Sequence, residues 1–254
     1  MTDSLIRLEN VWKIYKLGEL ELPVLRGINL EINPGSFVTI MSPSGSGKST
    51  LMYLLGLLDS PSRGKVFLQN QDTSFFSEDE LAEVRGKKIG FIFQQFNLLQ
   101  NLTALENVML PMIFSPFGGS PGGRQGFSEA ERKKRARQIL ESVNLGQRIN
   151  HKPAEMSGGE QQRIAIARSL ANDPEILIAD EPTGNLDSST GKTVMEILTK
   201  LHKEQRKTII VVTHDPNIAR YSQNIVHIQD GQIAANHFKE SEILWAQENG
   251  TNKN

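Results

Sequence analysis

The run Ser42-Pro43-Ser44-Gly45-Ser46-Gly47-Lys48-Ser49-Thr50 sets two glycines and a lysine between the apolar stretch Phe37 to Met41 and leucines at helical spacing. Glycines at such a junction free backbone amides to converge on phosphate oxygens at a helix N-terminus. Lys48 then reaches the β- and γ-phosphates, and the Ser49 hydroxyl binds Mg²⁺. A plain glycine-rich turn would not need Lys and Ser in this register, so the spacing predicts a nucleoside triphosphate site. Ser42 stands where the loop pattern has its first glycine, so its backbone must either be ordinary or store strain. Binding is expected to survive, because the converging amides lie further along.

Three more groups carry chemistry. Asp180-Glu181 closes the apolar run Ile176 to Ala179; Asp180 is placed to hold the hydration shell of Mg²⁺, and Glu181 to orient or deprotonate an attacking water. Alone, two acids there would read as a solvated strand end. In Ser157-Gly158-Gly159-Glu160-Gln161, Ser157 and Glu160 have capping-box spacing while Gly158 and Gly159 leave amides bare, and such a helix end attracts anions. Alone, it would read as a structural helix start; beside the Lys48 loop, which has its own helix terminus, it must serve another phosphate. His214 follows the apolar run Thr208 to Thr213 and precedes Asp215-Pro216, a helix-opening pair.

The elements that position these groups follow from periodicity. Short runs at Leu5 to Leu8, Leu25 to Ile32 and Phe37 to Met41, with Pro34-Gly35 as a tight turn between the last two, predict an opening antiparallel β-layer. Leu51, Leu54, Leu55 and Leu58 predict a helix over Ser49 to Leu58. Ser77 with Glu80, and Ser128 with Glu131, have the capping-box form, so helical segments surround residues 100–170. Phe114 to Phe127, with Gly118-Gly119 and Gly122-Gly123, is too poor in side chain to offset its ordering entropy and predicts a mobile surface loop. Beyond Pro174 the pattern gives a strand at Ile176 to Ala179, a helix carrying Val194, Ile197, Leu198 and Leu201, and a strand at Thr208 to Thr213. Both strands are continuous apolar runs, as buried parallel strands are. Asp230-Gly231 predicts a hairpin, and a polar tail follows Glu240.

Composition excludes several classes. The 254 residues suffice for one sizeable core, with or without a smaller subdomain. Lys and Arg number 28 against 29 Asp and Glu, a net charge of −1, so no global field draws the chain to nucleic acid or anionic lipid. With no cysteine there are no disulfides or thiolate metal sites, and the five histidines are scattered. Asp3 and Arg7 come early, no run has signal-peptide length, and none approaches the roughly 20 apolar residues of a membrane span. The chain is expected to stay inside the cell.

In order and spacing, these motifs resemble the nucleotide-binding domains of ATP-binding-cassette (ABC) transporters, from Tyr15 to about Ile233. The resemblance implies an α/β P-loop NTPase fold of the ABC-ATPase type: a RecA-like parallel sheet core, an antiparallel β subdomain and an α-helical signature subdomain. It places the nucleotide-binding domain at 4–240, the helical subdomain at about 95–170 with the 114–127 loop, and a polar tail at 241–254. It implies ATP hydrolysis with ATP and Mg²⁺ as cofactors. Tyr15 would stack on adenine, a β-layer core tyrosine being the alternative. Gln94, in Phe93-Gln94-Gln95-Phe96, would touch Mg²⁺ or water and sense a membrane partner, with Gln95 the neighbouring alternative. Ser157, Gly158, Gly159 and Glu160, preceded by Met156 where Leu is usual, would hold the γ-phosphate of ATP bound by the opposing subunit. Asp187, in Asn185-Leu186-Asp187, would touch across the dimer, a solvated helix cap being the other reading. His214 would contact the γ-phosphate.

Gly90 to Leu99, His151-Lys152-Pro153 and Asp180 to Asp187 resemble the lipoprotein-release and macrolide-efflux (LolD/MacB-like) branch. That implies an ATPase subunit for export or extraction of a lipid, lipoprotein or drug-like substrate. It would work as a homodimer, peripheral on the cytoplasmic face of the inner membrane, beside a transmembrane permease subunit and through it an extracytoplasmic adaptor, with no nucleic-acid partner. A signalling ABC ATPase that regulates a cell-envelope enzyme is the rival reading. A soluble non-transport member would need long coiled-coil insertions or a second fused cassette, and neither is present. The 114–127 insert exceeds what the branch usually carries. With Arg132-Lys133-Lys134-Arg135 it reads as a flexible loop before a solvated basic face, or as a contact for a partner or membrane.

Overall fold

The computed structural model describes residues 4–43, 45–114 and 127–238. In chain order the elements are β1 (Ile6–Leu17), β2 (Leu20–Ile32), β3 (Phe37–Met41), α1 (Lys48–Leu55), β4 (Arg63–Leu68), β5 (Gln71–Asp72), α2 (Glu78–Lys88), β6 (Ile89–Ile92), α3 (Ala104–Phe114), α4 (Glu129–Ser142), α5 (Gly158–Ser169), β7 (Ile176–Asp180), α6 (Ser188–Gln205), β8 (Thr208–Thr213), α7 (Pro216–Ala219), β9 (Asn224–Gln229) and β10 (Gln232–Phe238). They fall into two compact units, one spanning Phe76–Lys207 and the other formed by the flanking residues. The tail beyond Glu240 and nearly all of the 114–127 loop lie outside the described residues.

In the flanking unit, β1 pairs antiparallel with β2 and β4, giving the order β2-β1-β4-β5. The antiparallel layer is therefore present, but its hairpin is not the one read from Pro34-Gly35. The turn falls at Gly18, φ 64°, between Leu17 and Leu20. β3 instead lies between β8 and β9, parallel to both. Pro34-Gly35 hands the chain from one sheet to the other. Gly35 N donates to the Thr208 hydroxyl at 2.8 Å and Ile209 N to Ser36 O at 2.9 Å, which fixes β3 beside β8. Every residue of β8 is buried, as expected of a parallel strand covered on both faces. Asp230 and Gly231 have φ 50° and 76° and close the expected hairpin of β9 and β10; both positive angles suit the twist of the flanking strands.

Helix α1 packs through Leu51, Met52, Leu54 and Leu55, all with no exposed surface. It stops earlier than the leucine spacing predicts. Leu57 takes a left-handed φ of 55°, Leu57 N donates to Leu54 O at 3.2 Å, and Leu58 N to Tyr53 O at 2.8 Å. These two bonds satisfy the last carbonyls of the helix and end it, leaving Leu58 exposed outside the core.

In the other unit β6 and β7 run parallel. The core is built from Leu105, Val108 and Met112 of α3, Ala136 and Leu140 of α4, and Ile164, Ala165 and Ile166 of α5. Helix starts are strongly specified. Ser77 with Glu80 and Ser128 with Glu131 form the expected reciprocal caps on α2 and α4. Thr103 with Glu106 does the same for α3, Thr103 N donating to Glu106 Oε2 at 2.8 Å, a start of the same form that the sequence reading passed over.

Hydrogen bonding to the ionised carboxylate holds Glu80, Glu106, Glu131 and Glu160 below the ordinary glutamate value of 4.5, chiefly from the backbone N–H of Ser77, Thr103 and Ser157 and, for Glu131, the Ser128 hydroxyl. A carboxyl with a lower value folded than unfolded lends stability that is complete above the unfolded value and is lost as pH falls through the folded one. The thermal midpoint should therefore hold from neutral down to about pH 5 and drop below it. Glu106→Gln should lower the midpoint at neutral pH and make the acid limb shallower, and Thr103→Ala should cost about 1 kcal/mol in denaturant unfolding. A midpoint that climbs on acidification contradicts this account.

Candidate functional site

Within the flanking unit, β3 delivers the chain to a loop built around two left-handed glycines, Gly45 at φ 82° and Gly47 at φ 96°. Gly47 is the N-cap of α1, so the cap position offers no side chain to the first-turn amides. A side chain on Gly47 would also press on Leu25 Cδ2 at 2.9 Å and Val24 O at 3.1 Å. Lys48 folds back so that Nζ donates to Ser42 O at 3.0 Å, and the Ser46 hydroxyl donates to Pro43 O at 2.6 Å. Ser42 is buried and does not have a positive φ, so of the two outcomes left open it adopts the ordinary one and the loop tolerates its side chain. Ser49 is exposed and Thr50 half-buried in the first turn, while Ser44 lies outside the described residues.

Two further candidates sit in the same unit. Tyr15 is 38% exposed on β1, which removes the core-tyrosine alternative. Its hydroxyl is 3.3 Å from Asp59 Oδ2, and Lys13 Nζ stands 5.2 Å from the ring centroid while pairing with Asp59 at 2.6 Å. His214 is exposed directly after the buried β8, on a corner fixed by Asp215 N donating to the Thr213 hydroxyl at 3.1 Å and by Asp215 capping α7.

In the other unit β7 ends at Asp180, half-buried, and Glu181 follows at φ 42°. Gly184 N donates to Glu181 O at 3.0 Å and closes the turn. The Gln94 segment, just after β6, is stitched to this turn: Asn185 Nδ2 donates to Gln94 O at 2.9 Å, and Gln94 Nε2 lies 3.4 Å from Asn185 Oδ1. Gly184 is tied to this approach, since a side chain there would come within 2.8 Å of Gln94 Nε2. Of the two neighbouring glutamines, Gln94 is the one engaged. Asp187 caps α6, Oδ1 accepting from Ser189 N and Thr190 N at 3.0 Å each and Oδ2 from the Thr190 hydroxyl at 2.6 Å. The helix-cap reading is thus realised. These bonds, the Ser189 and Thr190 hydroxyls first, hold its carboxyl well below the usual carboxylate range.

Ser157 is exposed and caps α5, with Glu160 N donating to its hydroxyl at 3.3 Å and Ser157 N to Glu160 Oε2 at 2.9 Å. Arg148 Nε lies 3.2 Å from Glu160 Oε1 and supports the box. The two glycines between have different reasons. Around Gly158 a methyl would meet only Leu186 and Phe96, at 3.5 and 3.7 Å. On Gly159 it would lie 2.1 Å from Thr190 Cγ2, so the close approach of α5 to α6 requires that glycine, a reason the sequence reading did not give. The sequence reading also missed Gln162 and Arg168. Gln162 Nε2 donates to Pro182 O at 2.7 Å; Arg168 donates to Phe96 O at 2.9 Å and to Asn97 O. Their signal was present: Gln162 falls on the face that Gly159 and Ile166 bury, where an apolar residue is the rule.

The ABC transporter family profile matches residues 25–184. Over 230 residues the chain is 51% identical to an uncharacterized ABC transporter ATP-binding protein, MJ0796, of Methanocaldococcus jannaschii, covering 90% of this chain and 95% of that one. It is 47% identical to the macrolide export ATP-binding/permease protein MacB of Syntrophobacter fumaroxidans, covering 91% of this chain but only 31% of that protein. Among solved structures, a dimeric post-hydrolysis state of the cassette MJ0796 bound to ADP and Pi superposes with a TM-score of 0.82 at 48% identity, covering 92% of this chain and 98% of that one. The chain belongs to the ABC transporter family, as an ATP-binding, ATP-hydrolysing protein with the α/β P-loop fold of that family.

Thr190 cannot swing away from an added methyl, because its hydroxyl is held by Asp187. Gly159→Ala should therefore separate α5 from α6 and destabilise the protein by about 1–3 kcal/mol, the range for overpacking. Adding Thr190→Ser, which deletes the clashing methyl and keeps the hydroxyl, should restore most of it. Chemical denaturation of the two variants decides; equal stability of Gly159→Ala and parent rules the packing account out.

Proposed function

We propose that the chain is the ATPase subunit of a transporter that exports or extracts a cell-envelope substrate: a lipid, lipoprotein or drug-like molecule. In this reading two chains pair head to tail, and each ATP lies between Lys48 of one protomer and Ser157 of the partner subunit. The observation that carries the nucleotide assignment is α1: it is opened by the left-handed Gly47, which has no capping side chain, its first turn holds no acidic residue, and it begins at Lys48. Such a start favours an anion, here a phosphate. Ser42 to Thr50 cradle the triphosphate, Tyr15 offers its exposed face to adenine, and His214 reaches the γ-phosphate. Ser157, Gly158, Gly159 and Glu160 meet the other protomer's ATP, with Asp187 beside them.

Glu181 acts as the base that takes a proton from, or orients, the attacking water. Ser49, Asp180 and Gln94 would hold Mg²⁺; all three offer oxygen, the donor it takes, and when bound it neutralises charge on the phosphates. Binding energy for ATP thereby favours the closed pair, and hydrolysis removes it. The dimeric form of the solved cassette supports the pairing. The joining of ATP-binding and permease parts in MacB supports a transmembrane permease as partner; an extracytoplasmic adaptor beyond it belongs to the same proposal. Among the described residues no helix is long and apolar enough to cross a membrane, which suits a peripheral place on the cytoplasmic face of the inner membrane. Residues of about 95–170 form the helical subdomain, the surface toward the permease.

Glu181→Gln should retain ATP affinity, lose about 10²–10⁴ in hydrolysis rate, and elute as a dimer in saturating ATP. Light scattering coupled to gel filtration reads the outcome. A variant that binds ATP and stays monomeric removes the composite site.

A further inference from the structure

We propose that Gln162 is a positioning residue for Glu181: through the Pro182 carbonyl, its side-chain amide holds the strained backbone that aims the catalytic carboxylate. The inference rests on the reading of Glu181 as the base.

Gln162 has no exposed surface and sits on α5 between Gly159 and Ile166, both buried. Its Nε2 donates to Pro182 O at 2.7 Å, and its Oε1 is buried with no hydrogen-bond partner. Burying a primary amide that is only half satisfied is costly, and a leucine of similar size would fill the site without that penalty. What the amide contributes in return is one directed bond to one carbonyl. That carbonyl belongs to the residue immediately after Glu181.

Glu181 is where such a bond matters. Its φ of 42° is left-handed, unfavourable for any residue with a Cβ, and a following proline further restricts the residue before it. Backbone of this kind persists only where the surroundings over-determine it, and it gathers at functional sites. Two bonds do so here. Gly184 N grips Glu181 O from within the turn, and Gln162 grips Pro182 O from α5. Pro182 has no N–H of its own, so its carbonyl is the only backbone hydrogen-bonding group by which the neighbouring helix can hold this residue. Because Ser157 caps the same helix, the bond also ties the start of α5 to the turn that carries the base.

A base displaced by about 1 Å loses about a hundredfold in rate. Steady-state ATPase assays on Gln162→Leu should show kcat down by about 10- to 100-fold, with KM and ATP affinity within about twofold of the parent. A filler role predicts an unchanged kcat, because leucine fills the same space, and that result sinks the proposal. Gln162→Glu gives a second arm that does not depend on the leucine variant folding. Only the protonated carboxyl has a hydrogen for Pro182 O, so its turnover relative to the parent should climb as pH falls; a flat ratio counts against the bond. Single-turnover hydrolysis separates the inference from the reading beneath it. If Glu181→Gln hydrolyses at the parental rate, the base assignment fails. If Glu181→Gln is crippled and Gln162→Leu lowers it further by the same factor as in the parent, Gln162 acts elsewhere; no further loss is the expected result.

Discussion

A helix start leaves backbone amides without partners, and where those amides find acceptors organises this protein. Among the described residues, six of the seven α-helices bring their own. Ser77, Ser128 and Ser157 cap α2, α4 and α5 with reciprocal glutamates, Thr103 and Glu106 do so for α3, and Asp187 and Asp215 cap α6 and α7. Among the described residues α1 is the exception, started by Gly47 with no side-chain cap. A start opened by a glycine and followed by a lysine suits an acceptor that a ligand brings. The lysine that follows fixes the sign of that partner as negative.

The strands contribute in the same way for four of the candidate groups. Ser42 to Lys48 follow β3, Asp180 and Glu181 end and follow β7, His214 follows β8, and Gln94 follows β6 by one residue. Each strand is nearly or wholly buried, so its register is fixed by apolar packing, and the first polar residue after it inherits that precision. Rigid strands with reactive groups at their carboxyl ends are the general solution of open α/β sheets. The loops can then be short and still exact in placement, because hydrogen bonds such as Asn185 to Gln94 lock one against another.

What could be read in the sequence was what local rules decide. Capping boxes, the Asp230-Gly231 turn, the buried runs of β7 and β8 and the glycines of the Lys48 loop all depend on residues within a few positions of each other. What could not be read depends on residues far apart. Pro34-Gly35 is a turn in either topology, and only the pairing of β3 with β8 and β9 tells that it joins two sheets. Leu58 keeps the helical period, yet the chain leaves the helix at Leu57. Gly158 and Gly159 look alike in sequence, but Thr190, some thirty residues on, makes one a steric necessity and leaves the other free of that demand.

The same distinction explains why the turn after β7 needed help from α5. Short-range forces favour an ordinary conformation for Glu181, since it has a Cβ and precedes a proline. The structure holds it at φ 42° all the same, so the stabilisation must come from groups that local sequence does not supply. Asn185 reaches back to the Gln94 segment, Gln162 reaches across from α5, and Arg168, on the same helix, takes the carbonyls of Phe96 and Asn97. One helix thus grips both loops that follow β6 and β7. Its N-terminus presents Ser157 to solvent while its buried face holds the Pro182 carbonyl beside Glu181, so a single helix joins the two places.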